Sequence, residues 1–139
     1  MIANSNEILT YIPQRPPMVM VDSLIEATEK RIVSRFTVKN GNVFLEENVL
    51  KEAGIIENIA QTAAAGVGYK QVTQKLPVKL GFIAAIKNLK IYSLPGLNSQ
   101  IETIVEVVNE VMEVTIVQGT VMESGNKIAE CELRIFIQE

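Results

Sequence analysis

Residues 53–69 read Ala53-Gly-Ile-Ile-Glu-Asn-Ile-Ala-Gln-Thr-Ala-Ala-Ala-Gly-Val-Gly-Tyr69, and only Glu57, Asn58, Gln61 and Thr62 interrupt an otherwise apolar or small run. Glu57 is the only charged residue between Glu52 and Lys70. A helix that apolar around most of its circumference belongs inside a domain, not on its surface. A carboxylate carried there is partly desolvated, which raises its pKa and suits it to hold a proton near neutral pH. The imidazole that most often partners such an acid cannot come from this chain, which has no histidine. A second reading stays open. Asn58, Gln61 and Thr62 lie at i, i+3 and i+4, so with Glu57 they also fit the solvated stripe of an amphipathic helix.

Outward from the helix, the pattern is β-rich. On the N-terminal side, Asn4 with Glu7 three residues later opens a short helix to about Tyr11. Pro13-Gln-Arg-Pro-Pro17 then breaks it as a rigid connector, although a Pro-x-x-Pro spacing also suits a peptide-module ligand. Strands are expected over 18–27 and 31–39, closed by Asn40-Gly41-Asn42. The segment 44–52 is irregular or begins a helix, and the buried helix runs over about 53–70. Its late Ala63, Ala64, Ala65, Gly66 and Gly68 let a sheet wrap closely against it. Four more β-rich segments follow, over 78–92, 100–108, 112–123 and 127–138. In the last, Ala129, Cys131, Leu133, Ile135 and Ile137 alternate with mostly polar residues, so Cys131 reads as a small core residue. Glu123-Ser-Gly-Asn126 turns the last two strands into a hairpin. The order specifies an α+β fold, a long antiparallel sheet wrapped around a central helix, within one domain over 1–139.

Composition narrows the function classes. At 139 residues, 47% apolar and 21% charged, the chain is an ordinary globular protein. A net charge of −3 argues against nucleic acid as the main partner. One cysteine fits a reducing compartment, and no apolar run approaches 18 residues, so a cytoplasmic protein without leader or membrane span is expected. Between Asn58 and Ile101 there is no acidic residue, while Lys70, Lys75, Lys79, Lys87 and Lys90 contribute +5, leaving −8 for the rest of a chain of net −3. These lysines are either solvated decoration or a docking face for an acidic partner.

Two motifs carry a family resemblance. Ile12-Pro13-Gln14-Arg15-Pro16-Pro17-Met18-Val19-Met20-Val21-Asp22 resembles the Pro-His-Arg-x-Pro opening of the hot-dog-fold 3-hydroxyacyl-[acyl-carrier-protein] dehydratases. Glu57-Asn-Ile-Ala-Gln61 followed by small residues resembles their helix motif, and Gly81-Phe82-Ile83-Ala84 their tunnel-lining strand. Two departures stand out. The family's catalytic histidine segment is missing from 41–53, and Gln14 stands where the opening motif has histidine. In this the chain is more similar to the divergent dehydratase-like proteins of aryl polyene synthesis.

The resemblance implies a dimer or larger assembly, an acyl carrier protein as partner and no cofactor or metal. It implies Glu57 as the catalytic acid, with Gly54, Gln61, Gly81 and Phe82 around the substrate. Lys70, Lys75 and Lys79 become candidates for carrier docking. Glu57 and Gln61 are about 40° apart around a helix and can face one site, and Gly54 lies where a helix N-terminus presents N–H groups to a thioester oxygen. For Gln14 and Arg15 the resemblance leaves capping or dimer packing. Three routes remain for the absent base. Glu46, Glu47 or Glu52 could substitute, a histidine-bearing hot-dog subunit could supply it, or the chain could be a non-catalytic acyl-binding subunit. A hot-dog thioesterase, in which Glu57 activates water, is a further alternative.

Overall fold

The computed structural model describes residues 1–77 and 81–137, the last by its backbone alone. Residues 78–80 and 138–139, and with them the expected docking residue Lys79, lie outside that description. The described strands are β1 (Ser23–Ala27), β2 (Arg31–Thr37), β3 (Leu45–Glu46), β4 (Val49–Leu50), β5 (Gly81–Ile91), β6 (Gln100–Val111), β7 (Val114–Glu123) and β8 (Asn126–Ile137). One helix, α1 (Glu52–Thr73), separates β4 from β5. Six strands form one antiparallel sheet in the order β1-β2-β6-β7-β8-β5, and β3 and β4 make a small separate hairpin. This is the sheet-around-helix arrangement expected from the sequence.

The sheet closes on the helix through a row of inward side chains. Ile32, Val105, Gly119 and Cys131 are cross-strand neighbours on β2, β6, β7 and β8. A Cβ at Gly119 would collide with Ile59 of α1. On the helix side, a Cβ at Gly66 would strike the Ile32 side chain, and one at Gly68 the backbone carbonyl of Tyr11. The small residues therefore set the approach of the helix to the sheet and to the N-terminal segment. The alternation along β8 is as expected, with Ala129, Cys131, Leu133 and Ile135 buried and Phe136 exposed. Burial pushes the Cys131 thiol up to about 11, which fits an inert core residue. The β7–β8 turn holds Ser124 and Gly125 both at positive φ, as a two-residue hairpin loop of this twist requires.

Three expectations change. Only 23–27 of the expected strand over 18–27 joins the sheet; Met18 and Met20 instead lie against α1, where helix side chains take up their backbone groups. The N-terminal helix shortens to a 3-10 turn over Ile8–Thr10. Asn4 and Glu7 still work as a pair, the Glu7 carboxylate accepting from the Asn4 N–H and the Asn4 side chain from the Asn6 N–H. The irregular stretch before α1 is the β3–β4 hairpin, with Glu47 and Asn48 at positive φ.

The two sheet edges differ. The N-terminal residues close β1, where Ala3 bridges Leu24. No described strand pairs with the outer edge of β5. Ile83 and Ile86 stand in register with the buried Ile135 and Leu133 of β8, yet are 38% and 43% exposed. Helix α1 reaches both strands but leaves these two side chains of β5 partly uncovered.

Candidate functional site

Helix α1 presents two chemically distinct faces. On one, the Asn58 amide donates to the Met20 carbonyl at 2.7 Å and its oxygen accepts from the Thr103 hydroxyl of β6. Gln61 accepts from the Met20 N–H and donates to the Met18 carbonyl, each at 2.7 Å. Thr62 bonds back to the Asn58 carbonyl and pairs with Ser34 of β2. All three helix residues are fully buried. The solvated-stripe reading therefore falls for them, because the polar groups are spent on backbone and strand partners that would otherwise be buried unsatisfied.

The other face opens on a groove of about 1220 Å³. Glu57, Ala60, Ala64 and Val67 line its helix wall, Ile83, Val117 and Ile135 its sheet wall. From Glu57 to Lys70, also on the groove, the helix advances about 20 Å at 1.5 Å per residue. Glu57 is partly buried, and desolvation raises its carboxyl above the ordinary 4.5; a hydrogen bond from the Gln61 side chain acts the other way and is the smaller effect. A carboxyl so placed can hold a proton and deliver it to a leaving group in the groove.

The other expected site residues divide. Gly81 and Phe82 both reach the groove. Phe82, however, stands in register with the exposed Phe136, and Ile83 with the buried Ile135, so Ile83 is the side chain turned toward the helix. Gly54 is buried, off the groove, and its N–H donates to the Lys51 carbonyl at 2.9 Å. A Cβ there would come within 2.7 Å of Leu50 and 2.8 Å of Phe44. Close packing under the β3–β4 hairpin accounts for this glycine, and its N–H is not free for a thioester oxygen as expected. Gln61 touches Glu57 and the Met18–Met20 backbone and does not line the groove.

Glu46, Glu47 and Glu52 are exposed, and none lines the groove with Glu57. Lys70 sits at the groove and pairs with Glu29 at 3.4 Å, while Lys75 is exposed beyond the helix end. Arg15 caps its own loop, donating to the carbonyls of Ile12 and Gln14 at 2.8 Å each. Gln14 itself lines the groove, a position the opening motif alone did not assign. Among the described residues no cluster of side chains suits a metal ion, and no helix is long and apolar enough to cross a membrane.

A family model described as "ApeP-like: ApeP dehydratase" matches residues 6–139. No curated protein matches the sequence significantly. Among solved structures, the chain is similar to one titled the dehydratase heterocomplex ApeI:P from Xenorhabdus doucetiae. The TM-score is 0.88 and the identity 17%, with 95% of this chain and 91% of that chain covered. It is also similar to an HP0420 homologue from Helicobacter felis, with a TM-score of 0.70 and 13% identity over 94% of this chain and 87% of that chain. A hypothetical thioesterase with coenzyme A from Streptococcus pneumoniae gives 0.67 and 10%, over 84% of each chain. At these identities the structures establish the hot-dog fold.

Proposed function

The chain belongs to the ApeP-like dehydratase family, and from that premise we propose that it is the acid-bearing subunit of a two-chain hot-dog dehydratase acting on 3-hydroxyacyl groups of an acyl carrier protein. The observation that carries this reading is Glu57, the one of the four carboxyls lining the groove that is partly buried, in a chain without histidine. A histidine of a partner hot-dog subunit removes the proton α to the thioester carbonyl. The electron pair forms the new carbon–carbon double bond, the C3–O bond breaks, and Glu57 protonates the departing hydroxyl to water. Proton return from the imidazolium to Glu57 resets the site.

The open edge of β5, with Ile83 and Ile86 uncovered, is the surface offered to that partner. The dehydratase heterocomplex among its structural relatives supports a mixed assembly. Lys70 and Lys75, with Lys79, form the proposed docking face for the acidic carrier.

The test is a mixed complex of this chain with a histidine-bearing hot-dog subunit, supplied with a 3-hydroxyacyl carrier protein. Enoyl product that disappears with Glu57→Gln supports the assignment. Full activity of the Glu57→Gln complex sinks it and leaves an acyl-binding subunit. Release of free acid and carrier thiol instead identifies a thioesterase.

A further inference from the structure

The Oε1 atom of Gln14 is the one described side-chain oxygen or nitrogen that is buried without a hydrogen-bond partner. Such an atom costs free energy and calls for a reason. Its surroundings are unusually well fixed. Arg15 holds the carbonyls of Ile12 and of Gln14 itself, and Gln61 and Asn58 bind Met18 and Met20 a few residues on. The backbone at Gln14 is thus pinned, while the side chain lines the same groove as Glu57. A terminal amide turns easily about its last torsion, which is broad and two-fold. Turning the dry carbonyl into the groove becomes favourable when something there can donate a hydrogen bond.

We propose that Gln14 is a substrate-recognition residue, whose amide swings to accept a hydrogen bond from an O–H or N–H donor on the thioester ligand in the groove. This deepens the site of the proposed function and rests on it. Two groups on such a ligand can donate, the 3-hydroxyl and the amide N–H groups of the pantetheine arm.

The experiment measures affinity of the purified chain for two probes that resist hydrolysis, 3-hydroxyoctanoyl and octanoyl carba-pantetheine, in which a methylene replaces the thioester sulfur and adds no donor. Gln14→Met removes the acceptor at similar volume, and Gln14→His restores one. Loss of about tenfold in affinity for the hydroxylated probe alone, recovered by Gln14→His, identifies the hydroxyl as donor. Equal loss for both probes identifies the pantetheine amide. Unchanged affinity for both overturns the inference and leaves the proposed function standing. Binding of neither probe to the unmutated chain overturns the groove reading itself. Thermal melting separates a structural role. Ligand-free Gln14→Met should melt at or above the parent temperature, because it removes an unpaired buried acceptor, and a fall of several degrees would show that the amide serves the fold.

Discussion

The two faces of α1 use polar residues in opposite ways. Asn58, Gln61 and Thr62 are fully buried and bond chiefly to the Met18–Met20 backbone and to strands β2 and β6. Glu57, one position before Asn58, faces the groove with Ala60, Ala64 and Val67. A buried amide is affordable only when its donor and acceptor are both matched. An acid meant to exchange protons must instead keep access to solvent or substrate. The helix therefore carries its structural polarity and its chemical polarity side by side, and Gln61 touches both, holding Met18 and Met20 while bonding to Glu57.

If that division is right, changes on the two faces separate activity from stability. The largest effect is expected for Glu57→Gln in a mixed complex, a fall in dehydration rate of about 10²–10⁴-fold with a stability close to the parent's. Single-turnover kinetics and a melt on the same sample check it, and a parallel loss of folding would break the comparison. Asn58→Ala should do the reverse. It leaves the Met20 carbonyl and the Thr103 hydroxyl without their partner and should cost about 2–4 kcal/mol. The denaturant midpoint should drop with little change in slope, and a midpoint within error of the parent's would show that the network matters less than its burial suggests.

Gln61→Met sits on the boundary. Beyond destabilising the fold, it removes the one hydrogen bond that lowers the Glu57 pKa, so the carboxyl should titrate at higher pH than in the parent. Carbon NMR of the Glu57 carboxyl reads this directly, and a shift to lower pH would contradict the arrangement.

The smallest effect concerns pH and stability. The native Glu57 pKa lies above its ordinary 4.5, so the folded chain binds more protons than the unfolded one between those two values. Its contribution to stability is fully present below the ordinary value and is lost as pH rises through the raised native one. Glu57→Gln, which stays neutral, should be no more stable than the parent in acid and more stable at neutral pH. Melting curves at several pH values would expose an opposite trend.

A similar contrast separates β8 from β5. In β8 the alternation of Ala129, Cys131, Leu133 and Ile135 with polar neighbours appears in the sequence and reappears as burial, because a strand with neighbours on both sides keeps a period of two. In β5 the register breaks between Ile83 and Ala85 and again between Lys87 and Lys90, with Asn88 at positive φ. Between those breaks Ile86, not Ala85 or Lys87, takes the helix side, while Ile83 and Ile91 outside them keep a common face, and no count along the sequence would have located them. Gly54 misled for a related reason: a glycine near a helix start suits both an open N-terminus and a tight contact, and the β3–β4 hairpin imposes the contact.

By itself the sequence determined the succession of long strands around a central helix, the turn between the last two strands and the singular position of Glu57, since periodicity, turn residues and the absence of histidine are all local facts. Only the tertiary structure decided which polar helix residues are structural, that 18–20 leaves the sheet to lie along α1, and that Gln14 shares a groove with Glu57. Those outcomes depend on hydrogen-bond partners and packing surfaces some 40 residues away along the chain. A 3.6-residue period reports which side of a helix a residue occupies, but not what the rest of the chain places against that side.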